Sequence, residues 1–179
     1  MNCTDILAFL KSGGDALEKE NYLSALCIAL ILPSMCSRLE YKSKNPSDKK
    51  NYISWCNTYI TQNEWLKDFF GNNYSEILYK LRCGIIHEGY AEINNDGKNI
   101  YLSYGNNCAY ATFEKQKVIS VELLCKSIFQ CVNLWCQANM ALYNKESSSI
   151  LNMKNPNDSL FLTRLYIEEL DEKAKSLEE

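Results

Sequence analysis

The chain has 179 residues, which suits one domain with a substantial core. Apolar residues make up 46% and charged residues 23%, as in an ordinary soluble globular protein, and the formal net charge is −3. This charge balance argues against a general nucleic-acid binder, because phosphate contacts need a local excess of lysine and arginine. Four clustered lysines predict either a local basic patch or a solvated loop and helix start: Lys42, Lys44, Lys49 and Lys50.

The N-terminal residues lack a basic region followed by a long apolar run, so we expect no targeting segment. The longest purely apolar stretch, residues 25–33, is too short to cross a bilayer. Together these features predict a cytoplasmic protein with no membrane association.

The chain contains nine cysteines, and no two of them form a CxxC pair. An odd count without short spacings disfavours both a disulfide framework and a cysteine zinc site. We expect reduced thiols that act as small hydrophobic side chains on helical faces. No other cluster of metal ligands is evident, so neither a metal nor a cofactor is expected.

The first predicted helix begins at Asp5, with Thr4 as its cap, and Gly13-Gly14 weakens its middle enough to predict a bend or break. The next segment, residues 21–41, is apolar nearly all round, as expected for a helix buried on several sides. Pro33 lies inside that segment and predicts a kink or the start of a new helix.

After a predicted loop at 43–51, two amphipathic helices follow, at 52–60 and at 64–70, the second ending at Gly71. The next helix starts near Asn73 or Ser75 and ends at Gly89.

The pattern then alternates around Asn95-Asp96-Gly97, which predicts a hairpin turn and two or three short strands between residues 90 and 113. The longest periodic run, residues 118–143, predicts the central core helix through one stripe: Val121, Leu124, Cys125, Ile128, Val132 and Trp135. A last helix is predicted at 158–177. The sequence thus predicts one domain over 1–179, an all-α bundle with core helices between about 5 and 145 and a small β-hairpin insertion at about 90–113.

The helix that ends at Gly89 holds the chain's one histidine, His87, five residues after Arg82. At about 100° per residue, these two side chains lie roughly 140° apart and outside the core stripe. That core stripe consists of Tyr74, Ile77, Leu78, Leu81 and Ile85. A second apolar stripe consists of Tyr79, Cys83, Ile86 and Tyr90, and it predicts a second packing partner: another helix of the same chain, or the same helix in a second copy.

The segment RCGIIH, residues 82–87, resembles the Arg-x4-His motif of the HEPN superfamily. The run SALCIALILPSMC at 24–36, leading to Glu40, is similar to an early helix of bacterial HEPN-type proteins, so the resemblance spans about residues 15–90. It implies an all-helical, dimeric, metal-independent endoribonuclease of the toxin–antitoxin or phage-defence kind, with Arg82 and His87 as catalytic residues. One departure is Cys83, which stands where the family usually has a polar residue.

Cleavage of RNA by its own 2′-hydroxyl needs a base and an acid, and histidine suits both roles. With one histidine per chain, a pair of imidazoles requires two copies of the chain. Arg82 would hold the phosphate. The structural alternative for the same residues is that Arg82 pairs with a carboxylate such as Glu88, while His87 caps the helix end near Gly89.

Neighbouring side chains also have two interpretations. Glu88 would polarise His87 or stay a surface carboxylate, and Tyr79 and Tyr90 would stack on bases or pack at an interface. Beside the nuclease, two other functions remain: a non-catalytic HEPN-like dimer that binds RNA, an antitoxin or a nucleotidyltransferase-like partner, and a plain helical scaffold.

Overall fold

The computed structural model describes six ranges of the chain: 2–41, 47–60, 64–89, 93–95, 97–104 and 110–143. The described part is mostly helical and carries a small mixed sheet, so the prediction of a helical domain with a β insertion is confirmed at that level. The predicted last helix at 158–177 lies outside the described residues, as do Lys42, Lys44 and Tyr90.

The helices have the following bounds: α1 Cys3–Glu18, α2 Tyr22–Tyr41, α3 Asp48–Tyr59, α4 Glu64–Phe70, α5 Tyr74–Cys83 and α6 Val121–Tyr143. A π-helical turn, Gly84–Glu88, continues α5 directly. Helix α2 packs against α1, α3, α5 and α6. These four contacts explain why α2 carries apolar residues on most of its sides.

The start of α1 differs from the prediction. Asn2, and not Thr4, is the N-cap: its side chain accepts a hydrogen bond from the Asp5 backbone N–H, and the Asp5 carboxylate accepts one from the Asn2 backbone N–H. This reciprocal pair satisfies two of the N–H groups that a helix start leaves without partners. The capping box moves the helix start two residues toward the N-terminus.

Gly13 does not break α1, which continues to Glu18. A Cβ atom at this position would lie 2.6 Å from Phe129 Cζ of α6 and 2.9 Å from Ile28 Cγ2 of α2. The glycine therefore allows three helices to approach one another closely, and this packing outweighs its low helix propensity.

Pro33 lies within α2, which runs without interruption from Tyr22 to Tyr41, so no new helix begins there. This helix has the length and composition of a membrane span. About half of its apolar window is buried against the other helices, and a core helix passes the same test.

The sheet contains β1 Ile93–Asn95, β2 Lys98–Ser103, β3 Tyr110–Thr112 and β4 Gln116–Ser120, in the spatial order β1-β2-β4-β3. Strands β1 and β2 form the predicted hairpin, with Gly97 at a φ of 75° in its turn. Strands β2 and β4 are parallel, and β3 pairs antiparallel with β4. Strand β4 was not predicted: residues 118–120, assigned from the sequence to the long helix, belong to it, and α6 begins at Val121.

Two side chains of the sheet bind the C-terminal end of α4. The Asn95 side-chain amide donates to the Phe70 carbonyl at 2.7 Å, and Lys117 Nζ donates to the Phe69 carbonyl at 2.6 Å. Lys117 is buried despite its charge. The last carbonyls of a helix carry partial negative charge, so an ammonium group is well placed there.

Both predicted core stripes are confirmed. All six stripe residues of α6 are buried, and so are the five stripe residues of α5 and its continuation. Six of the eight described cysteines are also buried, namely Cys3, Cys36, Cys56, Cys125, Cys131 and Cys136. They pack within the hydrophobic core, as small apolar side chains do.

Candidate functional site

The π-helical turn brings Arg82 and His87 together. Arg82 Nη1 lies 3.2 Å from His87 Nε2. The predicted separation of about 140° is therefore wrong, because it assumed α-helical pitch throughout. In a π-helix the backbone hydrogen bonds join residue i to residue i+5, so side chains five apart lie one above the other. The pair is five residues apart, and the turn at Gly84–Glu88 supplies the matching pitch.

The direction of the Arg82–His87 hydrogen bond follows from chemistry. A guanidinium group has five N–H donors and no acceptor, so Nη1 must donate. His87 Nε2 must therefore accept, which requires a neutral imidazole with its proton on Nδ1. In this arrangement the lone pair of Nε2, the atom suited to act as a base, is directed at the guanidinium.

Other groups hold the Arg82 side chain, which is 18% exposed. Its Nη2 atom is 3.5 Å from Asp48 Oδ2 of α3, and its Cζ atom lies 5.7 Å from the centre of the Tyr79 ring. Nη1 is also 3.8 Å from Cys83 Sγ. Arg82 Nε is buried and has no hydrogen-bond partner in the described part of the chain.

Asp48 begins α3, directly after the N-cap Ser47. Its other carboxylate oxygen, Oδ1, lies 3.9 Å from Nε of Arg38, near the end of α2. Lys49 Nζ lies 5.9 Å from the centre of the Tyr79 ring. Two arginines thus flank one carboxylate at the N-terminal end of a helix, and a lysine lies over the neighbouring Tyr79 ring. This concentration of positive charge favours anions.

Tyr79 packs within its own chain. Its ring meets the ring of Tyr52 in α3 edge to face, with centroids 5.4 Å apart. The second apolar stripe is thus partly covered by another helix of the same chain, one of the two partners that the sequence allowed. Burial, and to a smaller extent a hydrogen bond to Cys83, raises the pKa of Tyr79 above its usual value. Its hydroxyl therefore stays protonated to a higher pH than that of an exposed tyrosine.

The remaining predicted residues lie at or near the turn. Cys83 and Ile86 are half-buried, and His87 and Glu88 are exposed. The carboxylate beside Arg82 comes from Asp48 and not from Glu88. Gly89 ends the turn in the left-handed conformation with a φ of 75°, as predicted for the helix end.

Sequence reasoning missed Asp48 as a member of the site. No spacing rule connects it with Arg82, because the two residues meet through the packing of α3 on α5. The lysine cluster around it was the nearest signal in the sequence, since it marked the start of α3 as a charged surface.

Glu40, the acidic residue of the early helix, lies in a different cluster. Its Oε1 atom accepts a hydrogen bond from the Tyr59 hydroxyl at 2.8 Å, and its Oε2 atom accepts one from Trp135 Nε1 at 3.1 Å. Burial and the neighbouring Glu40 carboxylate raise the pKa of Tyr59 to about 12. Glu40 thus connects α2 with α3 and α6 and supports the bundle.

Among the described residues, no group of three or more histidine, cysteine, aspartate or glutamate side chains is placed to hold a metal ion. Comparison of the chain with protein-family models, with curated proteins and with solved structures gives no match. The case for a function therefore depends on the geometry around Arg82 and on the resemblance of RCGIIH to the HEPN motif.

Proposed function

We propose that the protein is a metal-independent endoribonuclease of HEPN type, with Arg82 and His87 as its catalytic residues. The observation that supports this proposal is the 3.2 Å contact between Arg82 Nη1 and His87 Nε2. A π-helical turn inside an α-helix is rare and occurs often at functional sites. Here the turn, Gly84–Glu88, follows α5 directly and overlaps the last four residues of RCGIIH, so it brings His87 to Arg82 at the end of α5.

In the proposed reaction, the phosphate of a bound RNA attracts the Arg82 guanidinium away from Nε2 of His87. The freed Nε2 lone pair takes the proton of the 2′-hydroxyl, whose oxygen attacks the adjacent phosphorus. The bond from phosphorus to the 5′-oxygen breaks, and an acid returns a proton to that oxygen. Arg82 stabilises the added negative charge on the phosphate oxygens. The products carry a 2′,3′-cyclic phosphate and a 5′-hydroxyl.

The acid in this scheme is His87 of the partner subunit in a homodimer, released from its own Arg82 and doubly protonated, so that it gives a proton to the leaving 5′-oxygen and becomes neutral. A single chain has one histidine, so one protomer cannot supply two imidazoles. The exposed side chains of the turn, His87 and Glu88, together with the half-buried Ile86, form the surface on which two copies would meet. An isologous contact there places both turns beside one two-fold axis.

The HEPN resemblance also implies a cellular role for the proposed nuclease. Toxins and phage-defence effectors act on RNA in the cytoplasm, and we place this protein there. Its regulator would then be an antitoxin or a nucleotidyltransferase-like partner.

Incubation of purified protein with labelled RNA in excess EDTA tests the activity. We expect products that end in 2′,3′-cyclic phosphate. His87→Ala should lower the cleavage rate by about 10²-fold or more, the usual contribution of a general acid or base. Glu76→Gln is the matched control, because it changes an exposed carboxylate at the opposite end of α5 and should keep most of the activity. Cleavage that persists in His87→Ala would falsify the proposal.

A composite site has its own test. Excess His87→Ala protein mixed with wild-type protein should lower the activity of the wild-type chains, because a mixed dimer contains one imidazole and the scheme needs two. Sizing chromatography at micromolar concentration should show a dimer. A monomer that cleaves RNA at full rate contradicts the shared-histidine scheme.

A non-catalytic HEPN-like module is the second candidate, and Cys83 favours it. A thiol stands where the family usually has a polar residue, and this thiol is 3.8 Å from Arg82 Nη1. A thiol is a weak hydrogen-bonding group, so it orients the guanidinium poorly. RNA that binds at low salt and stays intact identifies this function. Protein that neither binds nor cleaves RNA supports a scaffold.

A further inference from the structure

We propose that Asp48 is the positioning residue of this site: from α3 it holds the guanidinium of Arg82 so that Nη1 reaches Nε2 of His87. The inference deepens the proposed nuclease, and its meaning for catalysis rests on that function. The geometry it describes can be tested without RNA. Two contacts of the Arg82 guanidinium support the inference. Asp48 Oδ2 lies 3.5 Å from Nη2, and His87 Nε2 lies 3.2 Å from Nη1.

The guanidinium group is planar and rigid, so fixing one terminal nitrogen limits where the other can lie. Of the three nitrogens of Arg82, Nε is buried without a hydrogen-bond partner among the described residues. The Tyr79 ring lies 5.7 Å from Cζ of the group and provides a contact that is not directional like a hydrogen bond. At the outer end of the side chain, Asp48 therefore holds Nη2, while His87 and the weak acceptor Cys83 Sγ hold Nη1.

Asp48 is itself well fixed. It occupies the first turn of α3, where the helix dipole favours a carboxylate, and the Ser47 side chain caps the helix by accepting from the Lys50 backbone N–H at 3.3 Å. Arg38 contributes a second positive charge 3.9 Å from its other oxygen. A chain of alternating charges thus connects α2, α3 and α5: Arg38, Asp48 and Arg82.

The functional consequence lies in the tautomer of His87. Arg82 can only donate, so its contact selects the imidazole with the proton on Nδ1 and a lone pair on Nε2. An imidazole free in water prefers the other tautomer. By holding Arg82 in place, Asp48 keeps the proposed base in its accepting form before the substrate arrives.

The chain contains one histidine, so an imidazole ¹⁵N spectrum reports on His87 alone. At about pH 8, where an ordinary imidazole is neutral, the wild-type protein should show mainly the Nδ1–H tautomer. Arg82→Ala should move the signals toward the Nε2–H tautomer. Asp48→Asn should lower the Nδ1–H to Nε2–H ratio about two- to fivefold, the effect expected for a partly exposed ion pair.

Asp48→Glu should restore most of the wild-type ratio, because it keeps the charge. Asp68→Asn is the matched control: it removes an exposed carboxylate from α4 and should leave the ratio unchanged. Circular dichroism establishes that each variant is folded. An unchanged tautomer ratio in folded Asp48→Asn overturns the inference, and so does a wild-type spectrum dominated by Nε2–H.

Binding of a non-cleavable 2′-deoxy oligonucleotide distinguishes two roles for Asp48: positioning Arg82, or competing with phosphate for Arg82. A positioning residue predicts that Asp48→Asn binds the oligonucleotide no more than about twofold more tightly than wild type. If Asp48 instead competes with phosphate for Arg82, Asp48→Asn binds about tenfold more tightly or better with an unchanged tautomer ratio, and the inference is wrong. If the tautomer responds as expected and wild-type protein does not cleave RNA, the nuclease proposal fails and the positioning role stands.

Discussion

Helix α6 and the helix that begins at Tyr74 start from the same kind of sequence pattern and end differently. Helix α6 keeps one pitch for 23 residues and buries its whole apolar stripe. Helix α5 keeps that pitch for 10 residues, to Cys83, and then widens into a π-helical turn of 5 residues. Within the turn Ile85 remains buried, while His87 and Glu88 face solvent.

This difference corresponds to two roles: α6 packs in the core, and the π-helical turn forms part of the candidate site. A regular helix presents side chains three and four apart on one face, which suits a continuous core contact. A π-helical turn is wider, because its backbone hydrogen bonds join residues five apart, and it therefore brings such residues to the same face. In this chain the aligned residues are Arg82 and His87, the two that the HEPN resemblance identifies.

The largest expected effect tests the packing role of α6. Trp135 is 2% exposed, its ring contacts Trp55, Tyr59 and Tyr143, and its indole N–H donates to Glu40. Trp135→Ala should lower the free energy of unfolding by about 3–5 kcal/mol. Leu134→Ala, which changes the adjacent 51% exposed residue, should cost less than about 1 kcal/mol. Urea denaturation measures both, and equal losses would contradict the assigned core face.

A smaller effect is expected in the local stability of the π-helical turn. Amide hydrogens of residues 85–88 should exchange with solvent about ten- to a hundredfold faster than those of residues 78–83, because short, exposed irregular turns open locally. Native-state hydrogen exchange read by NMR checks this, and residues 125–132 of α6 provide the slow reference. Equal protection along the whole segment would show that the turn is as firmly held as α5.

At Gly89, the glycine that ends the turn, we expect substitution to change the free energy of unfolding by about 1 kcal/mol. Gly89 has a φ of 75°, so Gly89→Ala should lower the free energy of unfolding by about 1 kcal/mol through backbone strain. Gly14→Ala is the matched control: no atom lies within 4 Å of the added Cβ and the residue is inside α1, so a gain of about 0.5–1 kcal/mol is expected. Chemical denaturation should give shifts of opposite sign, and shifts of the same sign would contradict the left-handed helix end.

The smallest expected effect concerns pH. The pKa of Tyr59 is raised to about 12, above the value of about 10 in an unfolded chain. Between these values the unfolded chain has released the proton and the folded protein keeps it, so the free energy of unfolding falls as pH rises from about 10 to about 12. Tyr59→Phe should make this decline shallower. Tyr74, also raised to about 12, maintains part of the slope in the variant. Identical slopes in both proteins would show that Tyr59 ionises normally.

Periodicity and turn chemistry predicted much of the fold. The stripe of α6, the stripe of α5 and the glycines after α4 and after the π-helical turn all follow from spacing and from residue type. These features are local, or depend on one buried face, so a single sequence contains the information. The hairpin around Gly97 is of the same kind.

What the sequence did not predict depends on contacts between distant segments or on small changes in pitch. Residues 118–120 of strand β4 were assigned to the long periodic run that was predicted to begin at Val118, and the parallel partner of β4, strand β2, lies more than a dozen residues earlier. The widening at Gly84 leaves the apolar pattern almost unchanged, since Ile85 is buried with either pitch. Asp48 joins the site only through the packing of α3 on α5.

The attachment of the sheet to α4 has a consequence for protein engineering. Asn95 of β1 and Lys117 of β4 provide hydrogen bonds to the carbonyls of Phe70 and Phe69. A shortened version of the chain that keeps the bundle and deletes the strands would leave both oxygens without these donors, and it would also remove three buried core residues, Ile93, Ile100 and Ile119. The sheet is therefore a structural support of α4, and any shortened version of the chain must provide new hydrogen-bond donors at the end of that helix.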